Sequence, residues 1–194
     1  MMSGPAVFPE ELVAQEPVEI PLERGKTVAV RSFRVLFNAA PERSGLGLDR
    51  AWSAKSLVLQ EKQAMFPEIA CLSLFQRSGW HGVWSDLPHR KYFDKMPTQS
   101  KGTSLDTFAQ QQVSRIAETN QQSRAGCWDI ILWENRTVVF VQVSAADAAL
   151  AVLSPARVRW LEASLRCGLS PQQFAIVTWA YRTVAARRRQ KHAS

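Results

Sequence analysis

Residues 126–144 read GCWDIILWENRTVVFVQVS, and this stretch decides the fold. Its two apolar runs, residues 127–133 and 137–143, are rich in Ile, Val and aromatic side chains, which is typical of short buried strands. The polar residues 134–136 between them predict a tight hairpin loop. Alternation along the second run predicts that Gln142 and Ser144 share one face, with valines on the other.

Asp129 is the one carboxylate inside the first apolar run. Aspartate is disfavoured in strands, and burying its charge without a partner costs free energy. We therefore expect hydrogen-bond donors or a cation beside Asp129.

The residues after the hairpin predict a helix and a third strand. Ser154 followed by Pro155 is typical of a helix start, and the helical run continues to Arg166, with Gly168 as its stop. Residues 174–179, FAIVTW, predict another buried strand. We expect these three strands to share one sheet, with the helix 155–166 on one face.

The chain upstream of residue 126 predicts a mixture of elements. In order, these are a Pro- and Glu-rich extended arm at 1–25, a strand or a hairpin arm at 26–37, a loop at 41–48, a segment of helical composition at 52–65, a helix from Pro67 to near Gly79, a short strand at 80–84, a loop at 87–101, and a helix capped by Ser104 that ends near Thr119.

Together these residues resemble the PD-(D/E)XK phosphodiesterase superfamily. The run CWDIILWENRTVVFVQV and, after it, LSPARVRWLEASLRCG are most similar to its virus-type replication–repair nuclease branch, VRR-NUC. Pro67-Glu68 and the run GWHGVW at 79–84 fit the N-terminal half, so the resemblance covers about residues 68–179. It implies an α/β fold, with a central mixed sheet flanked by helices and a restriction-endonuclease-like core. The implied domain spans 26–181, between the arm at 1–25 and a basic tail at 182–194.

The resemblance also implies a catalytic site, from which this sequence departs. The family pattern is Asp…Glu-X-Lys, whereas the chain has Asp129 followed by Gln142-Val143-Ser144. Asp129, Glu68 and Gln142 are the implied ligands of Mg²⁺ or Mn²⁺, and Ser144 occupies the lysine position. Mg²⁺ prefers hard, anionic oxygen ligands, so a neutral Gln142 should lower metal affinity. Ser144 cannot act as a cation near neutral pH.

Each implied site residue has an alternative, structural explanation. Asp129 could be a buried carboxylate bonded to backbone N–H groups, and Glu68 could interact with the dipole of its helix. Gln142 could be an ordinary polar residue on a half-buried strand. The missing cation could come from Arg157 or Arg159 on the following helix.

The net charge of +7 is unevenly distributed and favours an anionic partner. No acidic residue follows Glu162. The candidate nucleic-acid contacts are Arg90, Lys91, Lys95, Lys101, Arg157, Arg159, Arg187, Arg188, Arg189 and Lys191. A solvated tail that aids solubility explains the last four equally well.

The three cysteines are widely spaced and form no Cys-X-X-Cys pair, which argues against a disulfide framework or a zinc site. The sequence predicts packed thiols in a reducing cytoplasm. No signal peptide and no run of membrane-spanning length is predicted, so a membrane is not an expected partner.

We predict a nucleic-acid-binding protein of bacterial or phage type with a nuclease fold, whose catalysis is weak or lost because of Gln142 and Ser144. Its expected partner is DNA, with RNA as an alternative. Two other functions stay open: an active metal-dependent DNA endonuclease with an atypical site, and a protein-interaction module within a larger bacterial complex. The sequence does not predict an oligomeric state.

Overall fold

The computed structural model describes residues 7–40, 48, 52–97, 101–146 and 153–182. In these ranges the chain forms a nine-stranded mixed sheet with three helices, which confirms the predicted α/β class. The strands are β1 Val13–Pro21, β2 Thr27–Ala39, β3 Val58–Gln60, β4 Gln63–Met65, β5 His81–Asp86, β6 Lys91–Phe93, β7 Ile130–Glu134, β8 Thr137–Ala145 and β9 Phe174–Tyr181. The helices are α1 Pro67–Arg77, α2 Thr107–Thr119 and α3 Pro155–Arg166.

The strands follow the order β4-β3-β2-β9-β8-β7-β5-β6, and β1 pairs with β2 outside this path. Strand β9 is parallel to both β2 and β8, and the other pairs are antiparallel. The crossover from β8 to β9 contains α3. This connection brings the start of α3 to the end of the sheet where β7 begins.

The predicted hairpin is present, with a two-residue turn at Asn135 and Arg136. Both residues have positive φ, 46° and 62°, which suits a tight turn whose twist matches that of the strands. Strand β7 begins at Ile130, later than the predicted start at residue 127. The reason is that Val143 donates its backbone N–H to the Asp129 carboxylate, so a side chain replaces the strand pairing there.

Two apolar clusters cover the two faces of the sheet. On the α1 face, Leu72 and Phe75 pack with Val139, Val141 and Val143. The cluster on the other face joins α2 and α3 to the sheet through Ile116, Trp160, Leu161, Phe140 and Ile176. Pairing of Gln142 with Ile176 places Gln142 on the α3 face, which confirms the predicted alternation along β8.

The helices α1 and α3 begin at residues that suit a helix start. Pro67 and Pro155 occupy the first turns of α1 and α3, where the missing proline N–H costs nothing. Ser154 accepts a hydrogen bond from the Arg157 N–H, as an N-cap does. Gly168 follows α3 with φ 87°, which confirms it as the stop.

Residues 52–65 are not helical, so that prediction is wrong. The chain forms the short hairpin β3–β4, in which Val58 pairs with Met65. The turn residues Glu61 and Lys62 have φ 48° and 66°, a conformation that reverses the chain. Tertiary packing decides this segment, because Val58 and Met65 are buried in the α1-face cluster.

Three other parts of the chain differ from the prediction. The loop expected at 87–101 contains β6, which pairs with β5. The cap of α2 is Asp106 rather than Ser104, because the Asp106 carboxylate accepts the Ala109 N–H at 2.6 Å. Residues 13–21, within the expected arm, form β1 and belong to the sheet.

The three cysteines are free and buried, as expected of packed thiols. Within the described residues, no helix combines the length and the apolar character that a membrane span requires.

Candidate functional site

Asp129 lies immediately before β7, and protein donors contact both of its carboxylate oxygens. Oδ2 accepts the Gln142 side-chain amide at 2.7 Å and the Val143 backbone N–H at 2.9 Å. Oδ1 accepts the Arg157 guanidinium Nη2 at 2.6 Å. The expected donors and the expected cation are therefore both present.

Arg157 is held in place by the start of α3. Its N–H bonds to the Ser154 cap, and its carbonyl accepts the Trp128 indole N–H at 3.5 Å. Gly126 packs directly on this turn: a Cβ added there would lie 2.0 Å from the Ala156 carbonyl oxygen. The sequence thus fixes the helix start, and the helix start positions the guanidinium beside Asp129.

Burial raises the pKa of the Asp129 carboxyl from 3.8 to about 6. The Arg157 guanidinium lowers this pKa and the Glu68 carboxylate raises it, while the Val143 N–H and the Lys55 ammonium lower it further. Only 15% of the Asp129 side chain is exposed, so desolvation is strong. In setting this pKa, desolvation outweighs the ion pair, although Arg157 lies in contact with the carboxylate.

Gln142 is buried beside Asp129 and donates twice through one nitrogen. Its Nε2 bonds to Asp129 Oδ2 and, at 3.2 Å, to the Val143 carbonyl. Its Oε1 and the hydroxyl of Ser144 are buried without a hydrogen-bond partner in the described part of the chain. Unsatisfied buried oxygens of this kind are rare and call for an explanation.

Glu68 lies in the first turn of α1 and pairs with Lys55 at 2.5 Å. Its other oxygen, Oε2, is also buried without a partner among the described residues. Glu68 and Lys55 both influence the pKa of Asp129. Burial, together with the Glu68 and Asp129 carboxylates, raises the pKa of the Cys71 thiol. The two ion pairs are therefore electrostatic neighbours, each joining one implied metal ligand to one cation.

The divalent ion that the resemblance implies does not fit this arrangement. Mg²⁺ needs oxygen lone pairs directed at one point, at about 2.0–2.1 Å. Here the Asp129 oxygens and the Val143 carbonyl are directed at N–H groups instead. Within the described ranges, no group of three or more His, Cys, Asp and Glu residues is placed to hold a metal ion.

A basic cavity of about 830 Å³ borders the Asp129 strand. We define it by residues 85–92 of the β5–β6 hairpin, without His89, and by the loop 122–126. Its lining includes the cations Arg90, Lys91 and Arg124 and one carboxylate, Asp86. The Ser85 N–H donates to the Asp129 carbonyl at 2.8 Å, so the wall of the cavity is joined to the site.

The carboxylate in this cavity is engaged by its neighbours. Asp86 accepts the Trp52 indole N–H at 3.1 Å and contacts His89 Nδ1 at 2.6 Å. His89 also lies edge-on against the Trp52 ring, with centroids 5.5 Å apart. Asp86 therefore bonds to Trp52 and His89, and the cationic part of the lining consists of Arg90, Lys91 and Arg124.

The other predicted residues are dispersed. Lys95, Lys101 and Arg159 are exposed and lie outside the cavity lining. Arg187, Arg188, Arg189 and Lys191 lie outside the described residues.

Sequence reasoning missed two cations, Lys55 and Arg124. Lys55 lies in the segment predicted as helical, and no local pattern connects it with Glu68. Arg124 lies five residues before Asp129, and this closeness in sequence was the available signal that its loop lies near the site.

No protein-family model matches the chain, and no curated protein or solved structure matches it.

Proposed function

We propose that this chain is a nucleic-acid-binding protein with a nuclease-like fold and without metal-dependent catalysis. DNA is the primary expected ligand, and RNA presents the same phosphate chemistry. In this proposal the protein works in the cytoplasm, where its buried thiols remain reduced.

The observation that carries the proposal is the position of the basic cavity beside a charge-compensated Asp129. Arg90, Lys91 and Arg124 provide three exposed cations in one concave surface. Phosphate groups bind to such surfaces mainly through electrostatics and counterion release. Because Arg157 neutralises Asp129, a phosphate at the edge of the cavity would face little repulsion from that carboxylate.

The same geometry supports the proposed loss of catalysis. The position where the family has a carboxylate is Gln142, whose amide donates hydrogen bonds, and the lysine position is Ser144. Phosphoryl transfer needs positive charge on the developing transition state, and loss of one such donor commonly costs about 10²- to 10³-fold in rate. Here Arg157 is engaged by Asp129 and Lys55 by Glu68.

The test compares two triple variants that change the charge equally. One is Arg90→Gln/Lys91→Gln/Arg124→Gln, within the basic cavity. The control is Lys26→Gln/Lys62→Gln/Arg136→Gln, at exposed positions outside the cavity lining. Fluorescence anisotropy measures the affinity of each protein for duplex DNA, single-stranded DNA and RNA between about 50 and 200 mM salt. The readout is the slope of log affinity against log salt concentration, to which each phosphate contact contributes about 0.9 for duplex DNA.

We expect the cavity variant to lose about 3 from the duplex salt slope if all three cations contact phosphate, while the control keeps its slope. Equal losses in both variants would show that binding depends only on net charge. No binding by the unmodified protein would contradict nucleic-acid recognition. Rapid Mg²⁺-dependent cleavage that Asp129→Ala abolishes would instead support an active endonuclease.

A further inference from the structure

The Gln142 amide nitrogen occupies a position between two oxygen acceptors. It lies 2.7 Å from Asp129 Oδ2 and 3.2 Å from the Val143 carbonyl oxygen. An amide nitrogen carries two N–H donors, so it can serve both acceptors at once. The opposite amide orientation would place oxygen against both of them, and the chemistry therefore determines which end of the amide lies there.

Arg157 contacts the remaining oxygen of the same carboxylate. Its guanidinium Nη2 lies 2.6 Å from Asp129 Oδ1, and its backbone is fixed by the Ser154 cap and by the packing of Gly126. Three acceptor oxygens, two from Asp129 and one from Val143, are thus bound by nitrogen donors from two side chains.

We propose that Gln142 and Arg157 together replace a divalent cation, and that Gln142→Glu converts this cluster into a site for Mg²⁺ or Mn²⁺. The N–H groups now satisfy the oxygens that an ion would bind, and the guanidinium supplies positive charge. The inference concerns the cluster alone, so it does not depend on nucleic-acid binding.

The substitution changes the chemistry without changing the size of the side chain. Gln142→Glu replaces the two N–H donors between Asp129 and Val143 with a carboxylate oxygen. Two carboxylates in a buried site repel each other unless a cation lies between them. Hard oxygen ligands of this kind suit Mg²⁺ and Mn²⁺.

The experiment measures Mn²⁺ binding by isothermal titration calorimetry and the thermal unfolding midpoint with and without MgCl₂. Four proteins are compared: the unmodified chain, Gln142→Glu, Gln142→Glu/Arg157→Met, and the control Gln142→Met. The control removes the same two donors and adds no charge. Circular dichroism establishes that each variant is folded at the temperature of the titration.

We expect no saturable Mn²⁺ binding by the unmodified chain or by Gln142→Met. Gln142→Glu should unfold at a lower temperature without metal and bind one Mn²⁺, and the double variant should bind it more tightly because Arg157 no longer competes. Metal at a hundred-fold excess over the dissociation constant should raise the midpoint of either carboxylate variant by about 5–10 °C.

Two results would overturn the inference. One is stoichiometric Mn²⁺ binding by the unmodified chain that Asp129→Asn removes, because the side chains would then not exclude the ion. The other is that both carboxylate variants are folded but neither binds Mn²⁺. Nucleic-acid binding is measured separately, so its absence would contradict the proposed function and leave this inference intact.

Discussion

Removing the Arg157 guanidinium should make the stability of the protein strongly dependent on pH. The guanidinium Nη2 lies 2.6 Å from Asp129 Oδ1, and only 15% of the Asp129 side chain and 30% of the Arg157 side chain are exposed. Arg157→Met keeps much of the alkyl chain and removes the charge. Any large effect should therefore come from Asp129 rather than from lost packing.

The size of the effect follows from the pKa of Asp129. Burial raises this pKa from 3.8 to about 6 in the folded protein. Because the folded state holds the proton more tightly, the contribution of Asp129 to stability is most favourable below pH 4 and is lost as the pH rises to about 6. The difference between the two pKa values corresponds to a cost of about 3 kcal/mol above pH 6.

Without Arg157 the pKa of Asp129 should rise further, since the guanidinium lowers it. A carboxyl that stays protonated at pH 7 would cost about 4 kcal/mol relative to the unfolded chain, so the variant should lose about 1 kcal/mol beyond the unmodified protein. This loss should grow by about 1.4 kcal/mol per pH unit until the new pKa is reached. Near pH 5 both proteins hold the proton, and the pH-dependent difference should be close to zero.

Urea unfolding at pH 5, 7 and 8.5, followed by tryptophan fluorescence, measures these differences. Arg159→Met is the matched control, because Arg159 is an exposed arginine two residues further along α3. Its effect should be independent of pH. In the Asp129→Asn background, Arg157→Met should also lose its pH dependence. A uniform loss of stability at all three pH values in Arg157→Met would refute the reasoning, because the ion pair would then not govern the titration of Asp129.

Three further predictions concern the loop, the tail and the chemistry. Gly126→Ala should cost about 3 kcal/mol or more in thermal unfolding, because its Cβ would lie 2.0 Å from the Ala156 carbonyl oxygen. The control Gly168→Ala, at a similar φ but with open space around the added Cβ, should cost about 1 kcal/mol. Equal costs in the two variants would show that the close approach of Gly126 to α3 is unimportant. Deleting residues 183–194 should weaken DNA binding and flatten its salt slope in the anisotropy assay, and an unchanged slope would support a solubility role for the tail. A gel assay of labelled DNA with Mg²⁺ or Mn²⁺ should detect at most slow cleavage by the unmodified chain and somewhat faster cleavage by Gln142→Glu/Ser144→Lys. Rapid Mg²⁺-dependent cleavage by the unmodified chain would contradict the loss of catalysis.

The parts of the fold that the sequence predicted are those determined by local patterns. The apolar runs predicted the β7–β8 hairpin, and the serine–proline start and the glycine stop predicted α3. The hairpin β3–β4 was missed because its left-handed turn at Glu61 and Lys62 carries no glycine or asparagine as a signal. Its burial against α1 is a tertiary effect that composition alone does not reveal.

The site was predictable only where the chemistry of a single residue implies the partners that it requires. An aspartate in an apolar strand requires donors or a cation, and Asp129 has both. The choice between Arg157 and Arg159 depended on the rotation of α3, which periodicity alone did not resolve. Lys55 comes from a segment distant in sequence from Asp129, and Arg124 meets Arg90 and Lys91 only in the folded cavity, so both roles depend on contacts that only the folded chain creates.

The ion pairs that neutralise Asp129 and Glu68 bear on the proposed nucleic-acid binding. A divalent ion between two carboxylates would do two things: neutralise them, and polarise a phosphate or a water molecule. Arg157 and Lys55 accomplish the first, because each neutralises one carboxylate. They do not accomplish the second, since a guanidinium or an ammonium is a hydrogen-bond donor that coordinates no oxygen ligand and so does not activate a water molecule as a nucleophile. A phosphate in the basic cavity would therefore meet a neutral centre beside three cations, which favours retention of the strand over its cleavage.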